Sequence, residues 1–296
     1  MAQQIVNLGT LADGSDGDTN KVAWGKAKDN FAELYAYAGA IVGSNLLING
    51  AGQVNQRGYS SGSATTVANQ YTVDRWKVQT SGQNLSWTTS GGIATFTAPA
   101  GGVAQVVEGA SIIGGSYVLC WTGTATATVA GTAVTSGTPF TLTANTNATV
   151  VFSSGTFSLP KLERGVAATP FDFRHPQQEL ALCQRYFEKS YDAGVAPGTV
   201  TSIGAERINI AGLASSARGV NIPSTYKISK LAVPTVAIYS PNSGAAGKCY
   251  DAALSVDSNA IIDPALVGTR SHTIASTLGA STTLDVRVHW TATAEL

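Results

Sequence analysis

Apolar positions along this chain follow two different periods. Near the start, Ala27, Phe31, Leu34, Ala38 and Ile41 recur at spacings of four, three, four and three, which lays a single apolar stripe along a helix. Residues 13–18 form a run of turn formers, and Asp18 or Thr19 can accept hydrogen bonds from the free amides that open a helix. The pattern predicts a helix within an N-terminal segment covering residues 1–42. A lone helix of this length is marginal in water, so its stripe needs a partner. Two partners are open: the chain's own β domain, or further copies of the chain about a symmetry axis.

Past Gly43 the period falls to two. Short runs rich in Thr, Val and aromatic residues recur at 84–89, 92–98, 116–122, 140–144, 148–153 and 156–162, with glycine-containing breaks between them. Phe140, Leu142 and Ala144 alternate with Thr141 and Thr143, which turns one face to a core and the other to water. Evenly spaced short strands of this kind predict a β-sandwich over 43–175. Pro176 suits a first helical turn, and Leu180, Cys183 and Phe187 extend an apolar stripe to about Tyr191, which predicts a short second helix. From there to residue 296 strand patterns resume at 208–214, 226–231, 235–240 and 282–291, so the 176–296 unit is expected to be a second, sandwich-like β domain. No fixed-period repeat of the propeller or solenoid type is present. The expected fold class is mainly β.

Composition agrees with folding and narrows the chemistry. Of the 296 residues only 12% are charged, while 44% are hydrophobic and 32 are glycine, a turn-rich β composition with enough apolar mass for two cores. Formal net charge is zero, so no global field attracts a polyanion, and nucleic acid is not an expected partner. The start, Met1-Ala2-Gln3-Gln4-Ile5-Val6, has no basic region followed by an apolar run, and no segment reaches the length of a membrane span. A soluble chain made in the cytoplasm and not inserted in a membrane is expected. Cys120, Cys183 and Cys249 are odd in number, widely separated and without a CxxC pair, which predicts reduced thiols rather than a disulfide framework or zinc site. Neither a metal nor a cofactor is expected.

Three groups of segments resemble bacteriophage tail-fibre and related virion adhesion proteins. The first is Val6-Asn7-Leu8-Gly9-Thr10 with Asn30-Phe31-Ala32-Glu33-Leu34-Tyr35. The second joins Asn45-Leu46-Leu47-Ile48-Asn49-Gly50, Asn55-Gln56-Arg57-Gly58 and Tyr71-Thr72-Val73-Asp74-Arg75-Trp76. The third runs from Lys161-Leu162-Glu163-Arg164-Gly165 through Ala168-Thr169-Pro170-Phe171 to Leu180-Ala181-Leu182-Cys183-Gln184-Arg185-Tyr186-Phe187-Glu188-Lys189. The resemblance covers most of residues 1–190 and fades beyond Tyr191. It implies that residues 1–42 attach to other virion proteins, that the first sandwich is a jelly roll similar to carbohydrate-binding modules, and that the chain is a homotrimer contributing to host attachment. The stripe from Ala27 to Ile41 is then a candidate trimer or anchor interface. A virion decoration or head-fibre protein without a host ligand is the alternative.

Enzyme readings find weak footing. Gly58-Tyr59-Ser60-Ser61-Gly62 matches the G-x-S-x-G pattern, and His272 lies downstream as a triad requires, but that motif needs a strand before it and a helix after it. His175, His272 and His289 lack the close spacing of a metal triad. A polysaccharide-cleaving tailspike needs two facing carboxylates, for which the central module offers only Asp74, Glu108, Glu163 and Asp172. Between Lys77 and Lys161 the sole charge is Glu108. Non-catalytic glycan binding is more compatible: Trp87, Trp121 and Tyr117 could supply aromatic platforms, and Asn84 and Gln83 side-chain amides. Against that, strand alternation puts Trp87 on the face of Leu85, and Trp121 on that of Leu119 and Tyr117, so these rings read as core before they read as platforms. Trp76 with Phe171 and Phe173 is expected to fill the jelly-roll seam, and Asp74 and Arg75 to hold its edge by hydrogen bonds or ion pairs. Loops at 240–247 and 259–264, rich in Gly, Asn, Ser and Pro, are the expected recognition tips of the distal domain.

Overall fold

The computed structural model describes residues 4–11, 13–40 and 44–296. Helix α1 is Asn20–Ala40. Its first hydrogen bond runs from Ala23 N to the Thr19 carbonyl at 2.9 Å. The Asp18 carboxylate does not cap it, accepting instead from Asn7 N at 2.8 Å and Lys26 Nζ at 2.7 Å, which folds the preceding chain back along the helix. The expected stripe is only partly visible as such. Ala27 is half-buried, Phe31 and Leu34 are 57% and 60% exposed, the Ala38 side chain and Ile41 lie outside the described residues, and Trp24 adds a 74% exposed indole. The sandwich therefore leaves Phe31 and Leu34 uncovered.

The first β domain is an antiparallel sandwich. Its strands are β1 (Gln70–Tyr71), β2 (Lys77–Val78), β3 (Ser86–Ser90), β4 (Ile93–Ala98), β5 (Val103–Val107), β6 (Gly115–Thr122), β7 (Thr126–Val129), β8 (Thr132–Val134), β9 (Pro139–Leu142), β10 (Ala148–Ser153) and β11 (Gly155–Arg164). One sheet runs β1-β2-β5-β10-β7-β8, the facing sheet β3-β4-β11-β6-β9, and the chain crosses between them repeatedly in jelly-roll fashion. Alternation made β4 and β10 legible, with burial in every second position. β5 was missed because Val103–Val107 is buried throughout and has no alternation to detect.

Trp76 sits fully buried at the centre of this core, 5.4 Å from the Phe157 ring, 6.1 Å from Phe152 and 6.2 Å from Phe96, with Nε1 donating to the Asn49 carbonyl at 3.1 Å. It does not pack with Phe171 and Phe173, which instead meet each other edge-on at 4.9 Å. The expected aromatic seam is thus two separate clusters, because the sheets supply Trp76 with three phenylalanines of their own.

Helix α2 (Pro176–Gln184) is capped by the His175 ring, whose Nδ1 accepts from Gln177 N at 3.2 Å. It stops short of the expected Tyr191. Phe187 belongs to strand β12 (Phe187–Lys189), paired with the end of the last strand, because the stripe's later apolar residues are needed in the sheet. The C-terminal domain adds β13 (Glu206–Thr225), β14 (Thr235–Tyr239), β15 (Lys248–Asp251), β16 (Val256–Ile262) and β17 (Ser271–Thr293). All pack about β17 in a six-stranded antiparallel arrangement. β13 is far longer than 208–214 because it pairs only with β17 among the described residues, and an edge strand tolerates Pro223. Residues 226–231 are not a strand but a strap. Lys230 is buried there, donating to Glu188 at 2.6 Å and to the Gln184 carbonyl.

His272 on β17 is 1% exposed, 5.2 Å from the Tyr226 ring and 4.9 Å from Trp290, and neither ring nitrogen has a hydrogen-bond partner. Burial lowers its pKa from 6.5 to about 4. The folded state thus keeps the ring neutral while the unfolded chain takes a proton near pH 6.5, so this stability is complete above pH 6.5 and is lost as pH falls toward 4. Urea unfolding of wild type and His272→Phe should show the variant gaining relative stability steadily between pH 6.5 and 4. A gap independent of pH over that range would contradict the assignment.

Candidate functional site

Three stretches that lie far apart in sequence converge in space. Asn55–Gly58, Tyr71–Trp76 and the Arg185–Lys189 stretch meet the end of β17 at the junction of the two β domains. The turn that starts this is tight: Trp76 N donates to the Val73 carbonyl at 2.9 Å, and Arg75 stands at φ 72°, a left-handed conformation costing a non-glycine residue about 1–2 kcal/mol. That backbone aims the Arg75 side chain out of the jelly roll and across the junction.

Glu295 receives it. Its carboxylate pairs with Arg75 Nη1 on one oxygen and with Arg57 Nη2 at 2.9 Å on the other, and its side chain is only 4% exposed. Both guanidiniums are also stacked, Arg75 at 3.4 Å over the Tyr186 ring and Arg57 at 3.9 Å over Phe187. Arg75 Nη2 donates to the Val106 carbonyl at 2.6 Å, so one side chain ties β5, β17 and the α2–β12 turn together. Asp74, beside it, accepts from Gln56 N at 2.5 Å and Gln56 Nε2 at 2.8 Å. Burial pushes the Asp74 carboxyl up to about 6, with nearby Arg57 and the Gln56 donors opposing the shift. Gln56 Nε2 also reaches the Phe187 carbonyl at 2.9 Å. At the rim Glu108 takes Arg185 Nε at 2.8 Å and the Tyr186 hydroxyl, and the Arg185 contact is the main reason its carboxyl lies below the usual range. Tyr71 Oη donates to the Leu296 carbonyl at 2.7 Å.

This junction opens to solvent in two clefts. One of about 570 Å³ lies between the Gln53–Gln56 loop, α2 and Gly194, and the other, of about 390 Å³, between Arg57, Tyr59, Gln70 and Tyr71 on one domain and Tyr239 and Thr293 on the other. A groove of about 760 Å³ crosses the C-terminal sheet over Asn221, Lys248, Asn259 and Thr277.

The residues expected to bind glycan do not form one platform. Tyr117 is 1% exposed and its hydroxyl accepts from Ile113 N at 3.1 Å, which makes it core. Trp121 is half-buried, edge-on to Phe152 at 5.3 Å, with Nε1 donating to the Ala125 carbonyl at 3.2 Å. Trp87 is half-buried between Tyr59 at 6.1 Å and Phe96 at 6.3 Å. Strands β4 and β11 separate β3 from β6, so the strands that carry the two indoles lie about 14 Å apart in the sheet. Gln83 Oε1 is occupied by Gly101 N at 2.7 Å, and Asn84 beside it is half-buried. The expected recognition tips are also constrained. Ser240 and Ser243 both donate to Asp257, and much of 259–264 is the end of β16.

Carboxylates that a glycosidase would need are engaged elsewhere. Asp74 and Glu108 serve the junction, and Glu163 pairs with Lys161 at 3.0 Å and accepts from Thr169 N at 2.7 Å, leaving Asp172 exposed. The G-x-S-x-G stretch is an irregular loop, and His272 lies buried among Tyr226 and Trp290 of the C-terminal core. Among the described residues no group of three His, Cys, Asp or Glu side chains is placed to hold a metal. Cys120, Cys183 and Cys249 are all free.

Comparison with protein-family models, with curated proteins and with solved structures finds no match to this chain.

Sequence reasoning missed the junction because its key anion, Glu295, stands 220 residues from Arg75. A buried pair broken by removal of one partner typically costs about 3–5 kcal/mol. Glu295→Ala should lower the unfolding free energy by that order, since it strands Arg57 and Arg75, and calorimetry should then resolve separate transitions for the two domains. A single transition at the wild-type temperature would show that Glu295 does not hold the junction.

Proposed function

We propose that the chain is a structural, non-catalytic subunit of a bacteriophage virion, a tail fibre or tail-associated adhesin that contributes to host attachment. The resemblance of residues 1–190 to such proteins supplies the family expectation. The observation that carries the reading is the set of large apolar side chains left open along α1. The helix presents Trp24, Phe31 and Leu34 to water at 74%, 57% and 60% exposure, while each β domain has a buried core of its own. A helix with large apolar groups left open is marginal alone and is stabilised by docking. Residues 1–42 are thus the element for joining other virion proteins, and the two β domains are the part held out from the particle.

Assembly as a homotrimer rests on the same resemblance and on two surfaces that invite self-association, the open face of α1 and the outer edge of β13. A long unpaired edge is a ready template for another chain. The engagement of Asp74, Glu108 and Glu163 in structural contacts favours binding over cleavage. The clefts at the junction favour an adhesin over a decoration protein, which needs no ligand.

Light scattering on the purified chain should give a trimer mass at micromolar concentration. Deletion of residues 1–42 should leave a folded, soluble protein with unchanged far-ultraviolet circular dichroism in its β region, and particles assembled with it should lack it. A monomeric full-length chain would overturn the trimer, and full occupancy of the truncated protein on particles would overturn the anchor.

A further inference from the structure

We infer that the cleft between Tyr59, Tyr71 and Tyr239 is a binding site for a neutral saccharide, built jointly by the two β domains. The inference rests on the adhesin reading and locates its ligand. The cleft measures about 390 Å³, within the range of small-ligand sites, and its walls come from both sides of the junction. Tyr59, Gln70 and Tyr71 belong to the jelly roll, Tyr239 and Thr293 to the C-terminal sheet. Each of these five side chains is half-buried, and the Tyr71 ring already carries the Arg57 guanidinium 5.1 Å and the Lys77 ammonium 5.5 Å from its centroid, which leaves Tyr59 and Tyr239 as the rings to meet a ligand.

Their chemistry matches a sugar's two kinds of surface. A pyranose has an apolar C–H face, which lies on aromatic rings, and a rim of hydroxyls, which needs amides and hydroxyls. The Tyr59 and Tyr239 rings supply the first. For the second, Gln70 spends its Oε1 on Thr66 N at 2.7 Å, and among the described residues no partner reaches its Nε2 or the Tyr239 and Thr293 hydroxyls. Donors and acceptors thus stand beside rings with nothing in the protein to satisfy them.

Charge selects the class. Among the described residues Arg57 is the one ionic group lining the cleft, and its charge is already met: it lies 2.9 Å from Glu295 and stacks 3.9 Å over Phe187. An anionic sugar would meet a guanidinium that Glu295 has already neutralised. A neutral hexose or N-acetylhexosamine unit makes no such demand.

The walls are rigid for the same reason that the junction is. Tyr71 is fixed by its hydrogen bond to Leu296 at 2.7 Å, and Tyr59 by the Leu85 amide, which donates to its hydroxyl at 3.2 Å. Tyr59 also touches Trp87, with ring centroids 6.1 Å apart, which extends the aromatic surface onto the sandwich. A preformed aromatic site loses little entropy when a sugar enters.

The test uses the full-length protein on an array of neutral and acidic oligosaccharides built from hexoses and N-acetylhexosamines, with hits titrated by calorimetry. Neutral oligosaccharides should bind. Tyr239→Ala and Gln70→Ala should each weaken them roughly fivefold to tenfold, Tyr239→Phe should keep the ring contribution, and Trp121→Ala should bind as wild type. Thermal unfolding of each variant guards against loss of fold. The site is overturned if no neutral oligosaccharide binds, if only acidic ones bind, or if Tyr239→Ala and Gln70→Ala bind as wild type. Labelled wild type and Tyr239→Ala protein on a panel of bacterial cells separates this site from the adhesin reading. Equal binding of both to cells sinks the site and leaves adhesion standing, whereas no binding of either to any cell counts against both.

Discussion

One carboxylate held by two stacked guanidiniums fixes how this molecule is put together. Glu295 lies near the end of β17, Arg57 and Arg75 lie in loops that open the jelly roll, and all three are largely removed from water. Charges so placed are costly unless their geometry is complete. Here it is completed by the Val106 carbonyl on Arg75 and by the Tyr186 and Phe187 rings beneath the guanidiniums. The left-handed Arg75 backbone is the local cost of aiming that side chain, offset by the contacts it then makes. The arrangement explains why the two domains share walls of the same clefts.

Three stretches far apart in sequence thereby acquire a structural reason to occur together. Gln56 holds Asp74, Asp74 precedes Arg75, and the turn after α2 brings Tyr186 and Phe187 under the arginines. They form a docking joint between modules. In the proposed virion subunit such a joint would orient the distal domain relative to the proximal one without a flexible linker.

Much of the architecture was legible beforehand. Runs of Thr, Val and aromatic residues between glycine-containing breaks located β4, β6, β10 and β11 nearly in place, Pro176 marked α2 to the residue, and the mainly β class with an N-terminal helix followed from period and composition. What failed did so for physical reasons. Val103–Val107 is buried on both faces and has no period, 226–231 has strand-like residues but spends Lys230 on Glu188, and Phe187 reads as helical by spacing yet completes a sheet. Candidate sites were harder still. The expected aromatic residues were judged one strand at a time, which could not reveal that Tyr117 is core or that β4 and β11 stand between the two indoles. Tyr59, Tyr71 and Tyr239 carried no local signal, because what unites them is the contact between domains.

In the proposed virion subunit the two ends of the chain have opposite tasks, α1 inward and the joined β domains outward. Electron cryomicroscopy of a phage particle bearing this chain measures that directly. Density for residues 20–40 enclosed by neighbouring virion proteins, with the cleft at Tyr239 open to solvent, is the predicted result. Density with α1 free in solvent, or with the joined β domains packed into the particle wall, would contradict it.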